Sequence, residues 1–470
     1  MTRNIIVVCL DSVRKDYFDR HATRVRSMAD VSVEQCRAAS SWSVPSHASM
    51  ITGQLPHQHG LHTHNRDFST LPRERTLFEH LPREYHTAGI SANVYAGPAY
   101  NFDRFFDTFV DAPRYQYFVD GLNATTYFNE TGKRGRELYV GFLREAMRHD
   151  RPFRSLANGV AAQMKQTAMG SPIPDPMDDG AKLIRREALE LLKERDAPQF
   201  LFLNFMEAHA PFSPIIGMDR SLYSVPNSWD SDREQFWDVS LAAERYPDYL
   251  RGFRELYAAN IDYLDRVVSG LIEEIRRTVD RETTVLVTAD HGENLGYPFE
   301  DGLLGHKSSL SESLLHVPLE IIDPPRGWEE PTGRFVSHLE LPDLVCGLAD
   351  GETPDIGTDR AVAEHVGLSP GPEPPRDRDY WDRMMRCAYE DSRKVVWDSL
   401  STVTAYALDT ARPCWQSEFD EDAAEAAIPE WTADWFDDDI EEYKQRARAH
   451  SNSVAVDDAT ASRLADLGYL

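Results

Sequence analysis

Lysine is scarce in this chain. Among 470 residues, 50 are basic, but only eight are Lys and 42 are Arg, while 78 are Asp or Glu. The formal charge of −28 argues against nucleic acid as a partner and against anionic membranes, both of which favour basic surfaces. Cysteine is equally sparse. The five residues Cys9, Cys36, Cys346, Cys387 and Cys414 are scattered and contain no C-x-x-C, which excludes a disulfide scaffold and a zinc ribbon and points to a reducing compartment. Long apolar runs are missing too. Near the N-terminus the longest is Ile5–Leu10, short of a leader's apolar region and far short of the ~18 residues of a membrane span. Neither internal repeats nor low-complexity segments occur. The expectation is a cytoplasmic protein without a membrane span.

With 41% hydrophobic and 10% aromatic residues the chain has ample material for a core, and its length suits one large domain and a smaller one. Asn4–Leu10 is a β-branched run ending at Asp11, the pattern of a buried parallel strand. Ala88–Val94, Gln199–Phe205, Thr283–Thr288 and Val317–Ile322 read similarly. Helical periodicity covers Ala181–Glu194 and Tyr257–Arg277, the latter with Ile261, Leu264, Val268, Leu271 and Ile275 on one face. Strands alternating with helices predict an α/β fold with a largely parallel central sheet flanked by helices. Residues 1–347 form the expected main domain, with an insertion or cap at about 113–180 that ends in the loop Gly170–Gly180. Residues 348–470 form a smaller subdomain. Its segments Arg393–Trp397 and Thr402–Leu408 suit a short antiparallel sheet, and its acidic run Asp434–Glu442 suits a solvated surface.

Ligands of open α/β sheets sit at the carboxyl ends of strands, and three motifs fall there. Asp11 follows the first strand, where a helix cap is the plain alternative. Ser43-Val-Pro-Ser-His-Ala-Ser-Met-Ile-Thr-Gly53 sets a hydroxyl ahead of a short helix, where an N-cap is the plain alternative and the free N–H groups suit an oxyanion. Thr288-Ala-Asp290-His291-Gly292-Glu293 offers a carboxylate and an imidazole to one divalent ion. Histidines 57, 59, 62 and 64 form a cluster that reads better as loop packing than as a metal site.

This ordered set, from residue 4 to about 347, resembles the sulfatase family of the alkaline phosphatase superfamily, in the form of a haloarchaeal-type hydrolase with Ser at the nucleophile position. Gly305-His306-Lys307, followed by Glu312 and Val317-Pro318, keeps the family's spacing. His209 in Glu207-Ala-His-Ala-Pro-Phe212 is similar to its His-x-Pro, and Tyr257–Asp265 and the ending Leu467-Gly-Tyr-Leu470 are similar as well. The resemblance implies Asp11, Asp290, His291 and Ser43 around one divalent metal ion, with Ser43 as nucleophile. Calcium or magnesium leads, with manganese or zinc as alternatives. It further implies Lys307 and His209 at the transferred group or leaving oxygen, with His306 assisting as an acid or as support. Arg14 is expected to hold the loop around Asp11.

Two departures bear on the chemistry. The family oxidises its Cys or Ser to formylglycine and carries an Arg four residues on. Here that position is His47, which argues against formylglycine at Ser43 and leaves His47 as a substitute anion contact or as a helix residue. Asn93 and Tyr95 stand where relatives carry a Lys-x-His, so Asn93 is the candidate substrate contact on that strand.

The leading expectation is a metal-dependent hydrolase of sulfate esters, with phosphate-ester cleavage also open to an unmodified Ser43. A phosphoryl or phospho-alcohol transferase on a glycan or lipid headgroup is the alternative, and a non-catalytic binding module is the third. The expected partner is a small anionic ester, of which a sulfated or phosphorylated glycan is one form. Arg-rich, Lys-poor acidity suits a high-salt cytoplasm, where the Debye length falls to ~3 Å at 1 M and self-repulsion is screened. The denaturant midpoint is therefore expected to rise between low and molar salt, and a flat response in salt-titrated unfolding would mark an ordinary acidic protein instead.

Overall fold

The seven-stranded central sheet is built from β1 (Asn4–Leu10), β2 (Val31–Val33), β3 (His86–Ser91), β4 (Thr108–Asp111), β5 (Gln199–Phe205), β6 (Thr283–Thr288) and β7 (Leu319–Ile322). Its order is β2-β7-β6-β1-β5-β3-β4. The pairs from β6 through β4 are parallel, and β7 is antiparallel to both of its neighbours. This is a computed structural model, and it describes residues 2–114, 116–168, 171–328, 331, 334–419 and 427–469. Gly170 and Leu470 lie outside the described residues. Every residue of β1, β5 and β6 is buried, because helices cover both faces, and this is why these strands read as continuous apolar runs.

Among the described residues, the helices of nine residues or more are α1 (Ser43–Thr52), α2 (Gly135–Arg148), α3 (Pro152–Ala168), α4 (Ala181–Glu194), α5 (Pro247–Thr278), α6 (Leu341–Asp350), α7 (Ile440–Ala449) and α8 (Asp458–Asp466). Helix α5 starts ten residues before the expected Tyr257. Pro247 suits its first turn, and Leu250, Phe253 and Leu256 extend the buried face. The expected strand Ala88–Val94 ends early, at Ser91, because the Asn93 side chain accepts from Tyr95 N–H and opens a 3₁₀ turn. Strand β7 begins after Pro318, which has no N–H for a ladder. No helix among the described residues is long and apolar enough to cross a membrane.

A second, five-stranded antiparallel sheet follows: β8 (Arg360–Val366), β9 (Met384–Glu390), β10 (Arg393–Asp398), β11 (Val403–Leu408) and β12 (Gln416–Glu418), paired in chain order. Helix α6 runs through residue 347, the expected division. Residues 434–442 are mostly exposed. The histidine cluster does pack loops. His57 pairs with Glu364 at 3.0 Å, His59 meets Ser49 Oγ at 3.2 Å, and His64 accepts from Lys444 at 3.0 Å. The five cysteines are free.

One buried ion cluster ties the second sheet to the segments that follow β2 and precede β7. Glu312 sits 3.0 Å from Arg37 and 3.1 Å from Lys394 of β10, and it accepts the Tyr389 hydroxyl of β9 at 2.6 Å. Burial alone would raise the Glu312 carboxyl, yet Arg37 and Lys394 bring it down to about 2. Its contribution is thus present above the ordinary carboxylate pKa and is lost as pH falls towards 2. Glu312→Gln leaves two buried cations without their counter-charge, and a loss of about 3–5 kcal/mol is expected in urea unfolding at neutral pH. A loss below ~1 kcal/mol would show that the cluster does not hold the second sheet in place.

Candidate active site and metal centre

Strand register brings the motifs to one rim. Leu10 is level with Phe205, Cys9 with Thr288, and Ser91 with Asn204. The residues just past these ends, Asp11, Asn93, His209, Asp290 and His291, therefore converge. Two local features hold the turns. Tyr257 of α5 donates its hydroxyl to Ser12 O at 2.7 Å and accepts Arg14 N–H at 3.0 Å. Gly292 is required by a close approach, since a β-carbon there would lie 2.0 Å from Ser313 O. Arg14 is fully buried and binds Asp16, Glu300 and Glu293 O, so it braces the loop as expected.

At the centre, Asp11, Asp290 and His291 offer donor atoms that all lie within 4.8 Å of one another, and all three residues are buried. Ser12 N–H and His291 N–H donate to Asp290 Oδ1 at 3.2 and 2.9 Å, which leaves Asp290 Oδ2 without a partner. His291 Nδ1 lies 2.8 Å from Gly292 O. A carbonyl only accepts, so Nδ1 carries the proton and Nε2 presents a lone pair. That nitrogen is buried, unpartnered and 3.4 Å from Asp290 Oδ2. A lone pair aimed at a carboxylate oxygen is repulsive unless a cation lies between them. The burial of Asp11 and the nearby Asp290 raise the Asp11 carboxyl, a further cost that a divalent ion removes. The three residues fit such an ion, and their mixed O and N donors do not by themselves select calcium, magnesium, manganese or zinc.

Ser43 is the first residue of α1, preceded by Trp42 at the N-cap, so its hydroxyl is not spent on capping. Its Oγ is 3.4 Å from Asp11 Oδ2, and Asn93 Nδ2 donates to Asp11 Oδ2 at 2.6 Å and to Ser43 Oγ at 3.0 Å. Asn93 thus touches the hydroxyl and the carboxylate together. His47 lies beneath them. Its Nδ1–H donates to Ser43 O at 2.7 Å and its Nε2 accepts from Asn204 at 2.8 Å, while Phe102 and Phe202 flank the ring. Both nitrogens are engaged and burial lowers the ring to about 4. This is the geometry of a helix residue facing the site, with His47 Nδ1 also 3.7 Å from Asp290 Oδ2.

The other candidates form an arc beside this centre. The rings of His291 and His306 are 4.8 Å apart, and those of His306 and His209 are 5.4 Å apart. Glu293 holds His306 Nδ1 at 3.2 Å. Lys307 is buried and donates to Ser369 O at 3.1 Å, and burial lowers its ammonium to about 7. The residues around Ser369 belong to the loop after β8, which roofs this side of the site. Sequence reading missed Tyr469 as a site residue. Its hydroxyl donates to His209 Nε2 at 2.6 Å, and its ring packs against Tyr95. The sequence signal was the Leu-Gly-Tyr-Leu ending, which gave no indication of where it docks. Asn204 was also missed, since within an apolar strand it carries no motif.

A family model described as Sulfatase matches residues 3–351. Choline-sulfatase of Rhizobium meliloti (strain 1021) is 23% identical over 354 residues, covering 68% of this chain and 62% of its own length. An uncharacterized sulfatase, YidJ, of Escherichia coli (strain K12) is 25% identical over 189 residues, 37% of each chain. The chain therefore spans less than two thirds of the curated relatives it matches. The crystal structure of phosphonate monoester hydrolase of Agrobacterium radiobacter shares the fold, with a TM-score of 0.58 at 16% identity over 99% of this chain and 95% of its own.

The facing charges predict a paired outcome for Asp290→Asn. Removing one carboxylate is expected to raise the melting temperature of the metal-free protein and to abolish the rise that added MgCl₂ or CaCl₂ produces in wild type. Differential scanning fluorimetry with and without metal reads both, and a variant that still gains stability from metal would remove Asp290 from the ligand set.

Proposed function

The chain belongs to the sulfatase family, and on that premise we propose that it is a metal-dependent hydrolase of anionic esters, acting through Ser43. The observation that carries this reading is the buried Asp11, Asp290 and His291 cluster, in which Asp290 Oδ2 and His291 Nε2 are unpartnered and Asp11 lies beside a hydroxyl held by Asn93. Residues 1–347 are proposed as the catalytic unit, with 348–470 as the subdomain that roofs it. The cytoplasm is the proposed compartment, on cysteine usage.

A divalent ion bound to Asp11, Asp290 and His291, with Ser43 at its edge, would neutralise the ester oxygens and favour ionisation of the nearby hydroxyl. The chain's own groups do the rest. Asn93 Nδ2 holds Ser43 Oγ in place for attack on sulfur or phosphorus. The Lys307 ammonium offsets charge that grows on the transferred group. His306, which burial keeps neutral and Glu293 orients, lines the leaving-oxygen side with His209, and the proton given up by Ser43 passes to the departing alcohol oxygen. Water then cleaves the ester left on Ser43.

Sulfate esters are the first substrate class, by family. One observation also favours phosphate or phosphonate esters. With His47 where formylglycine formation needs Arg, Ser43 remains a hydroxyl, and a phosphoserine is more readily hydrolysed in a metal site than a sulfoserine. The choice is settled by the intact mass of the Ser43 tryptic peptide together with turnover of p-nitrophenyl sulfate and phosphate, before and after chelation. Unmodified serine with metal-restored phosphatase turnover supports the second class, and a mass lower by two hydrogens restores the first. No metal-dependent turnover of either ester would overturn the reading.

Lys307 gives this scheme a pH signature. Its ammonium sits at about 7, so the charged form dominates below that value and is lost above it. The kcat/KM profile is expected to fall as pH rises through about 7. Lys307→Met should remove that limb and lower kcat by ~10²–10³-fold, whereas an unchanged profile would place Lys307 outside the chemistry.

A further inference from the structure

We propose that the outer faces of α2 and α3 form a docking surface for an anionic lipid bilayer. These two helices belong to the insertion after β4 and pack on a small core of their own, made of Ala124, Phe142 and Ala146. That core uses only one edge of α2. Tyr139 (43% exposed), Val140 (55%), Leu143 (51%) and Met147 (63%) lie within about 100° of the helix circumference at 3.6 residues per turn. On α3, Phe153 (86%), Val160 (60%) and Met164 (52%) recur at helical spacing along a narrow row. Among the described residues, seven of the sixteen exposed large apolar side chains sit on these two helices. Surface apolar residues scattered singly need no explanation, but two aligned rows do.

Charge identifies the occupant. Residues 133–168 carry eight Lys or Arg and three Asp or Glu, a net of +5 inside a chain of −28. Arg136 falls within the apolar arc of α2, Arg144 lies about 40° past its edge, and Arg148 lies further round, with Glu137 between the two. All three arginines are exposed. Basic side chains bordering an apolar helix face are what an anionic interface binds, with the apolar residues entering the acyl boundary and the guanidinium groups meeting headgroups. A second copy of this face is a poor occupant, because two-fold pairing would press net-positive surfaces together. The whole-chain charge that argued against anionic membranes therefore misses a local reversal of sign. The surface is also continuous with a cavity of about 790 Å³, lined by Leu138 and Tyr139 of α2 and by Glu207 and Pro211. The last two flank His209. Docking would thus set that cavity beside the bilayer.

Co-flotation with vesicles of 1:1 phosphatidylglycerol and phosphatidylcholine, and with pure phosphatidylcholine, tests this in 0.1 M NaCl. Wild type is expected to float with the anionic vesicles at least ~10-fold better than with the neutral ones. The triple variant Arg136→Glu, Arg144→Glu, Arg148→Glu should lose that recovery. So should Leu143→Ser, Met147→Ser, Phe153→Ser, which replaces exposed residues and should keep the wild-type melting temperature and its turnover of soluble esters. Recovery unaffected by either set, equal recovery with neutral vesicles, or no flotation with a dimer in sedimentation that the serine variant dissolves would each overturn the proposal. The readout needs no turnover, so its failure leaves the proposed hydrolase standing, and the reverse also holds.

Discussion

Two carboxylates and an imidazole lone pair are held together in the dry interior of this protein, and much of the surrounding structure serves to keep them there. Asp11 and Asp290 follow adjacent parallel strands whose register brings their ends level. Backbone amides saturate one oxygen of Asp290, and Gly292 O fixes the tautomer of His291. What remains is a pair of facing acceptors, Asp290 Oδ2 and His291 Nε2, with no donor between them. Such an arrangement is costly unless a cation is present. The scaffold resists the resulting repulsion through long-range ties. Tyr257 from α5 pins the turn after Asp11, and Arg14 links that turn to Glu300.

The second sheet completes the site rather than merely adjoining it. Glu312, just before β7, couples it to the segment after β2 through Arg37 on one side and Tyr389 and Lys394 on the other. The loop after β8 covers Lys307, and Ser369 also donates to His306 O at 2.8 Å. Tyr469, far along the chain, donates to His209. Groups from both ends of the sequence therefore enclose one small volume, where water is excluded and each charge acts more strongly than it would at the surface. This enclosure is the physical reason that Lys307 can be ionised near neutral pH without being fully charged.

Net charge tells little about such a protein until it is resolved in space. The value of −28 describes the surface as a whole. The candidate site sets a buried lysine against it, and residues 133–168 of the α2–α3 region carry a local net charge of +5. The acidic run at 434–442 is exposed, in keeping with a solvating role. Screening at high salt would weaken the repulsion across the acidic surface while leaving buried pairs such as Glu312 and Arg37 largely intact.

Much of this was legible in the sequence because parallel strands buried on both faces must be apolar throughout. Their ends stand out, and a polar residue at such an end is conspicuous. Asp11, Asp290 and His291 could be read in this way, as could the strands β1, β5 and β6 and the helix α4, whereas the run from Gly305 to Pro318 was legible only through its resemblance to the family. Sequence alone thus determined the α/β class and, through the ordered motifs, the family, and it set the candidate site residues on one rim. It left open which side chains on that rim face one another, because contacts between residues such as Asn93 and Ser43, or Tyr469 and His209, depend on three-dimensional closure rather than on spacing. His47 shows the limit most clearly. Its position in the motif left an anion contact and a helix residue facing the site equally open, and only the tertiary structure shows Ser43 O and Asn204 engaging both of its nitrogens. The apolar rows of α2 and α3 were likewise invisible as a surface, since helical periodicity marks an apolar face without showing whether anything covers it. Tertiary structure decided that, because only packing determines which apolar faces find a partner and which remain exposed.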